Sequence, residues 1–144
     1  MAKIYDIEIY IPPKKITNEE LSILFPKWKP EKIYEKTGIS LRSKSSKDQT
    51  AGDLAIEAAK KLFNKNSFNK DNIDLLIFIS QTPNQCLPST SCEIHHALNL
   101  KSNCGTFDIN QGCTGYIYGL YLANNIIDNG GAENVLVLTG DTYT

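Results

Sequence analysis

Two short, unbroken apolar runs, Leu75 to Ile79 and Val135 to Leu138, constrain this chain more than any other feature. Each is too short for a helix and shows no alternation, which marks strands covered on both faces in a parallel sheet. Helical stretches separate them. Ala51, Leu54, Ala55, Ala58, Ala59, Leu62 and Phe63 recur at the 3, 4, 7, 8 spacing of an amphipathic helix, opened by Thr50 with Asp53 three residues on as a capping arrangement. Ser89 to Leu98 and Thr114 to Asp128 read as further helices, and Cys104 to Ile109 as a strand, so that helix and strand alternate in βαβ fashion. The expected class is α/β, an open sheet with helices on both faces and a ligand site at the carboxyl ends of the strands.

The first fifty residues read differently. Ile4, Ile7, Ile9 and Ile11 predict a strand that stops at Pro12-Pro13. Two short helices are expected over Asn18 to Leu24 and Pro30 to Lys36, separated by Pro26, followed by an exposed polar loop from Ser43 to Gln49. Trp28, between Lys27 and Lys29, is flanked by Pro26 and Pro30, which makes it a turn anchor rather than a nucleic-acid or membrane platform.

At 144 residues the chain is expected to form one domain, residues 1–144, able to bury about two thirds of its unfolded surface. Hydrophobic content of 41%, charged content of 22% and a formal net charge of -1 leave no bulk preference for nucleic acid or anionic membrane. Asp6 and Glu8 interrupt what would be the core of a secretory signal, and no apolar run approaches the roughly 20 residues of a bilayer span, so a cytoplasmic location is expected. Cys86, Cys92, Cys104 and Cys113 show neither CxxC spacing nor disulfide-scaffold density, which predicts reduced thiols and no structural zinc, and no cofactor is expected. His95 and His96 are adjacent on a helix and point about 100° apart. A metal pair on one helix would be spaced i, i+4, so they are read as solvent or interface residues.

Cys113 is the candidate for chemistry. The run Phe107-Asp108-Ile109-Asn110-Gln111-Gly112-Cys113-Thr114-Gly115-Tyr116 carries an apolar strand through a glycine turn into an apolar helix, which places Cys113 at or near a helix N-terminus. Unpaired backbone N–H groups and the positive end of the helix dipole favour a thiolate there, and a thiolate attacks carbonyl carbon. The plainer alternative is a small apolar residue between sheet and helix. Ile117, Leu120, Leu122, Ala123, Ile126 and Ile127 cover nearly every face of the following helix, which is expected to run through the middle of the molecule.

An ordered set of short motifs resembles the β-ketoacyl-ACP synthase III family of the thiolase superfamily. It comprises Thr37-Gly38-Ile39 with Arg42, Asp74 to Ile79 leading to Thr82-Pro83, Leu87-Pro88-Ser89-Thr90-Ser91-Cys92, Gly112-Cys113-Thr114-Gly115-Tyr116-Ile117-Tyr118-Gly119-Leu120, and Gly130-Gly131-Ala132 ahead of Val135 to Leu138 and Gly140-Asp141. The resemblance implies the first half of a thiolase-like fold, an open mixed sheet with a buried helix after the nucleophilic cysteine. Family members have two similar halves and more than twice this length. Their decarboxylation-assisting histidine and asparagine belong to the half not represented, so no such role falls on any residue present.

By the same resemblance Cys113 is the catalytic cysteine that accepts an acyl group from a thioester, before a carbanion from malonyl-ACP attacks it. Substrate-binding positions would include Arg42 and also Lys32 and Lys36, which stand where acyl-CoA users have a stacking tryptophan and an arginine. Mobile lysines make an acyl carrier protein an alternative donor to CoA. Leu87 falls where a phenylalanine commonly limits the partner subunit's acyl pocket, and predicts longer or branched chains. The resemblance further implies a homodimer joined through the strand before the cysteine, Thr106 to Ile109. Two alternatives remain, a non-catalytic partner of an intact subunit and another thiolase-superfamily condensation of polyketide, hydroxymethylglutaryl-CoA or β-lactone type.

Overall fold

The computed structural model describes residues 2–65 and 68–143, which divide into two compact units. One holds residues 2–10 with Thr50–Tyr143, the other Ile11–Gln49.

In the smaller unit, β1 (Lys15–Thr17) pairs antiparallel with β2 (Leu41–Ser43), and α1 (Asn18–Leu24) and α2 (Pro30–Thr37) lie between them in the chain. The Thr17 side chain accepts from the Glu20 N–H while Glu20 accepts from the Thr17 N–H, a reciprocal cap that fixes where α1 begins. Pro30 opens α2, where its missing N–H costs nothing, and Gly38 ends it at φ +67°. Asn18 is buried and bridges the unit, donating to the Ile39 carbonyl at 2.9 Å and accepting from Arg42 at 3.0 Å.

In the larger unit a parallel sheet has the order β4 (Gly105–Ile109), β3 (Leu75–Ile79), β5 (Val135–Thr139). The mixed sheet expected from the sequence is, among the described residues, parallel throughout, and antiparallel pairing is confined to β1 and β2. Helices cover both faces. Leu76, Phe78, Leu136 and Leu138 pack against Ala51, Ala55 and Ala59 of α3 (Ala51–Lys65) and Ile94 and Leu98 of α4 (Thr90–Leu98). The alternate residues Ile77, Ile79, Val135 and Val137 face Ala123 of α5 (Gly115–Asp128). This is the double-sided burial that the unbroken apolar runs required. At the start of α3, Asp53 accepts from the Thr50 N–H at 2.9 Å and Thr50 accepts from the Asp53 N–H at 3.1 Å, as the spacing of the two residues predicts.

Asp74 closes the opposite end of the sheet from Cys113. Its carboxylate accepts from Lys101 Nζ at 2.7 Å and from the N–H groups of Glu133 and Asn134 at 2.9 and 3.0 Å, tying the entries of β3, β4 and β5 together. The Lys101 ammonium first, and the Asn134 N–H next, hold this carboxyl below its ordinary range. A carboxyl with a lowered folded-state pKa stabilises the fold above its unfolded value of about 4, and that contribution is lost as the pH falls through the folded value. Asp74→Asn is therefore expected to cost about 1–3 kcal/mol at pH 7 and to weaken the loss of stability on acidification. Urea unfolding at pH 7 and pH 3 checks this, and an unchanged acid slope in the variant would contradict it.

Two sequence expectations are corrected. Ile4, Ile7, Ile9 and Ile11 form no strand and are exposed. A strand needs a partner ladder, and here the Ile7 and Ile9 N–H groups bond instead to the adjacent carboxylates of Asp6 and Glu8. Lys65 pairs with those same carboxylates at 3.3 and 3.6 Å, which holds the segment beside α3. The α5 helix, expected to be enclosed on all sides, buries only Gly115, Gly119 and Ala123, while Tyr116, Ile117, Tyr118 and Tyr121 are exposed. The sheet covers one side of α5, and no described element of this unit covers the other. No helix of the described residues is long and apolar enough to cross a membrane.

Candidate active site

The carboxyl ends of the parallel strands open into loops on one side of the sheet, and Cys113 lies there. β4 ends at Ile109, a 3-10 turn follows over Gly112–Thr114, and α5 begins at Gly115. Gly112 adopts φ +59°, a conformation that side chains disfavour, and lets the chain reverse. Thr114 Oγ1 donates to the Gln111 carbonyl at 2.9 Å and closes the turn. The Cys113 thiol is exposed, two residues before Gly115 opens α5, whose sheet-facing side is buried. The sequence placed this residue where the structure has it.

Around Cys113 stands a group of side chains that the sequence did not single out for function. Asp141 Oδ1 accepts from the Ser80 hydroxyl at 3.1 Å and from the Gln81 N–H at 2.7 Å. The Gln81 side chain lies against Gly112, where a Cβ would meet Nε2 at 2.8 Å, and the Tyr143 hydroxyl donates to Gln81 Oε1. Desolvation first, then the negative charge of Asp141, pushes the Tyr143 phenol up, and Tyr143 stands within electrostatic reach of Cys113. Gly140-Asp141 was visible only as part of a motif, because the contacts join residues about sixty apart in sequence.

The other thiols differ. Cys104 is buried, and burial pushes its thiol up. Cys92 is exposed near the start of α4, and the Ser89 hydroxyl, then that of Thr106, pulls its thiol down. Asp108 of β4 accepts from the Thr90 and Ser91 N–H groups at 2.9 and 2.8 Å, placing a carboxylate at that helix start.

Leu87 is on the β3–α4 loop, at the same end of the sheet as Cys113, and is 88% exposed ahead of the cis-Pro88 bond. Lys32, Lys36 and Arg42 belong to the smaller unit. Lys32 is exposed, Lys36 Nζ stands 4.9 Å from the centre of the Trp28 ring, and Arg42 is engaged with Asn18. A ring beside Lys36 is a feature that the sequence reading missed, because Trp28 lies eight residues earlier and across a turn. His95 donates from Nε2 to the Lys101 carbonyl at 3.0 Å, and His96 is exposed.

A family model described as 3-oxoacyl-[acyl-carrier-protein (ACP)] synthase III matches residues 107–144, the stretch that includes Cys113. A relative from Clostridium perfringens, "Beta-ketoacyl-[acyl-carrier-protein] synthase III", is 39% identical over 143 residues, which is 99% of this chain and 43% of that protein. A crystal structure of a 3-oxoacyl-(acyl-carrier-protein) synthase III superposes with a TM-score of 0.89 at 43% identity, covering 97% of this chain and 42% of the other. Xanthomonas campestris OleA H285D gives a TM-score of 0.86 at 27% identity, covering 94% of this chain and 42% of that one. The chain thus spans well under half the length of the relatives it matches. The parallel sheet with helices on both faces and a cysteine turn leading into α5 is the first half of a thiolase-like α/β fold. Within that class, the chain is similar over nearly all of its length to the first part of β-ketoacyl-ACP synthase III proteins.

Proposed function

We propose that Cys113 is the acyl-accepting nucleophile of a 3-oxoacyl-ACP synthase III reaction. The observation that carries this reading is an exposed thiol in the Gly112–Thr114 turn, between a parallel strand and the start of α5. In the first stage the sulfur attacks the thioester carbonyl carbon, a new carbon–sulfur bond forms, and collapse of the tetrahedral oxyanion expels the donor thiolate. The Cys113 N–H is a candidate donor to that oxyanion. In the second stage a carbanion formed by loss of carbon dioxide from malonyl-ACP attacks the acyl-enzyme and releases the cysteine. The histidine and asparagine that assist this stage in the family have no counterpart among the residues present.

Lys32 and Lys36 are proposed to meet the phosphates of the donor, with an acyl carrier protein as partner, and Arg42 to act through the turn it braces at Asn18. A cytoplasmic homodimer completes the reading, supported by β4 lying at an edge of the described sheet. Incubation with acetyl-CoA or acetyl-ACP, followed by peptide mapping, is expected to place the acetyl group on Cys113. Acetylation confined to Cys86 or Cys92 would refute the assignment. Leu87→Phe is expected to reduce octanoyl against acetyl transfer by about 10-fold or more, as extra volume excludes the longer chain. An unchanged ratio would return Leu87 to a packing role. The likeness to OleA favours a second reading, a different condensation on the same cysteine, and the identity of the accepted extender distinguishes the two.

A further inference from the structure

The segments leaving β3 and β5 are locked together beside Cys113. Besides Ser80 and Gln81, Asp141 Oδ1 accepts from the Thr82 N–H at 3.3 Å, and Thr82 Oγ1 accepts from the Thr142 N–H at 2.9 Å. Gln81 is thereby held at its backbone, and its side chain reaches over Gly112, next to the nucleophile. The Tyr143 hydroxyl takes up the amide oxygen, which turns the amide nitrogen toward Gly112. Among the described residues nothing accepts from Gln81 Nε2, so two N–H donors are left for whatever is attached to Cys113.

We propose that Gln81, oriented by Tyr143, is a specificity-determining residue that recognises an oxygen on the acyl chain close to the thioester. The substrate class is a 3-hydroxyacyl or 3-oxoacyl thioester rather than a plain alkyl one of the same length. An alkyl chain would strip water from the amide and the phenol and return no hydrogen bond, whereas an oxygen at the third carbon accepts from Nε2. The selection acts on the carbons nearest the sulfur and is independent of the chain length that Leu87 governs. It rests on the acyl-transfer reading of Cys113.

The test supplies the chain with butyryl and 3-hydroxybutyryl thioesters of N-acetylcysteamine together in one tube and reads the two acyl groups on Cys113 by peptide mass. The parent is expected to favour the hydroxyacyl group by about 10-fold. Tyr143→Phe and Gln81→Leu should each bring the ratio toward one. Tyr143→Phe keeps the ring and therefore reports even where Gln81→Leu disturbs the turn. Equal labelling in the parent, or a preference that neither variant changes, overturns the inference and leaves acyl transfer standing. Absence of both groups from Cys113 overturns the acyl-transfer reading as well.

Discussion

Cys113→Ala is expected to lower acyl transfer from a thioester by about 10⁴-fold or more, the scale on which removing a nucleophile acts. The protein carries three other thiols, so the variant is a measure of selectivity as well as of loss. Cys104 is shielded by burial, while Cys86 and Cys92 are exposed. The Ser89 and Thr106 hydroxyls stabilise a thiolate at Cys92, which makes it the rival for a small alkylating agent. Iodoacetamide is therefore expected to label Cys92 and Cys113, whereas an acyl thioester should select Cys113. Acylation needs more than a thiolate, since the carbonyl must also be polarised by donors placed for the oxyanion, and Cys92 has Asp108 at its helix start instead. If Cys113→Ala accepts acyl groups at the parental rate, the nucleophile is elsewhere.

The parts of this chain that were legible in its sequence are those whose physics is local. The Leu75–Ile79 and Val135–Thr139 strands declared themselves because a run buried on both faces has no polar position. The start of α3 did so because Thr50 and Asp53 satisfy each other across one turn. Cys113 was legible because strand, glycine turn and helix follow one another without interruption. The two paired strands of three residues, Lys15–Thr17 and Leu41–Ser43, were too short to leave an alternation. The Ile4 to Ile11 segment misled for the opposite reason. Its apolar pattern resembles a strand, yet strand formation depends on a partner that no described residue supplies. The surroundings of the candidate nucleophile were hidden because Asp141, Gln81 and Tyr143 meet through the ends of strands joined only by tertiary pairing.

Gly115→Val is expected to connect stability with chemistry. Gly115, Gly119 and Ala123 recur every fourth residue on the side of α5 that faces the sheet. A Cβ at Gly119 would meet Ile79 Cδ1 at 2.5 Å, and one at Gly115 would meet Ile79 Cγ2 at 2.7 Å. These contacts are not equivalent. Cδ1 is the free end of a side chain and can swing aside, whereas Cγ2 is fixed to a β-branched carbon of a residue only 4% exposed. Better helix propensity than glycine would recover up to about 1 kcal/mol, which overpacking of about 1–3 kcal/mol exceeds. Because Gly115 adjoins the Gly112–Thr114 turn, the helix can relieve the clash only by moving the mount of Cys113. Acylation of the folded variant should accordingly slow by about 10-fold or more, since small misplacements of a reacting group cost rate steeply. Ile79→Ala removes the opposing methyl at its own cost of about 2–5 kcal/mol, and combining it with Gly115→Val should recover at least about 1 kcal/mol relative to the sum of the two changes. Urea unfolding of the four proteins measures that coupling. Strict additivity would show that the close approach of α5 to Ile79 does not set the position of the nucleophile.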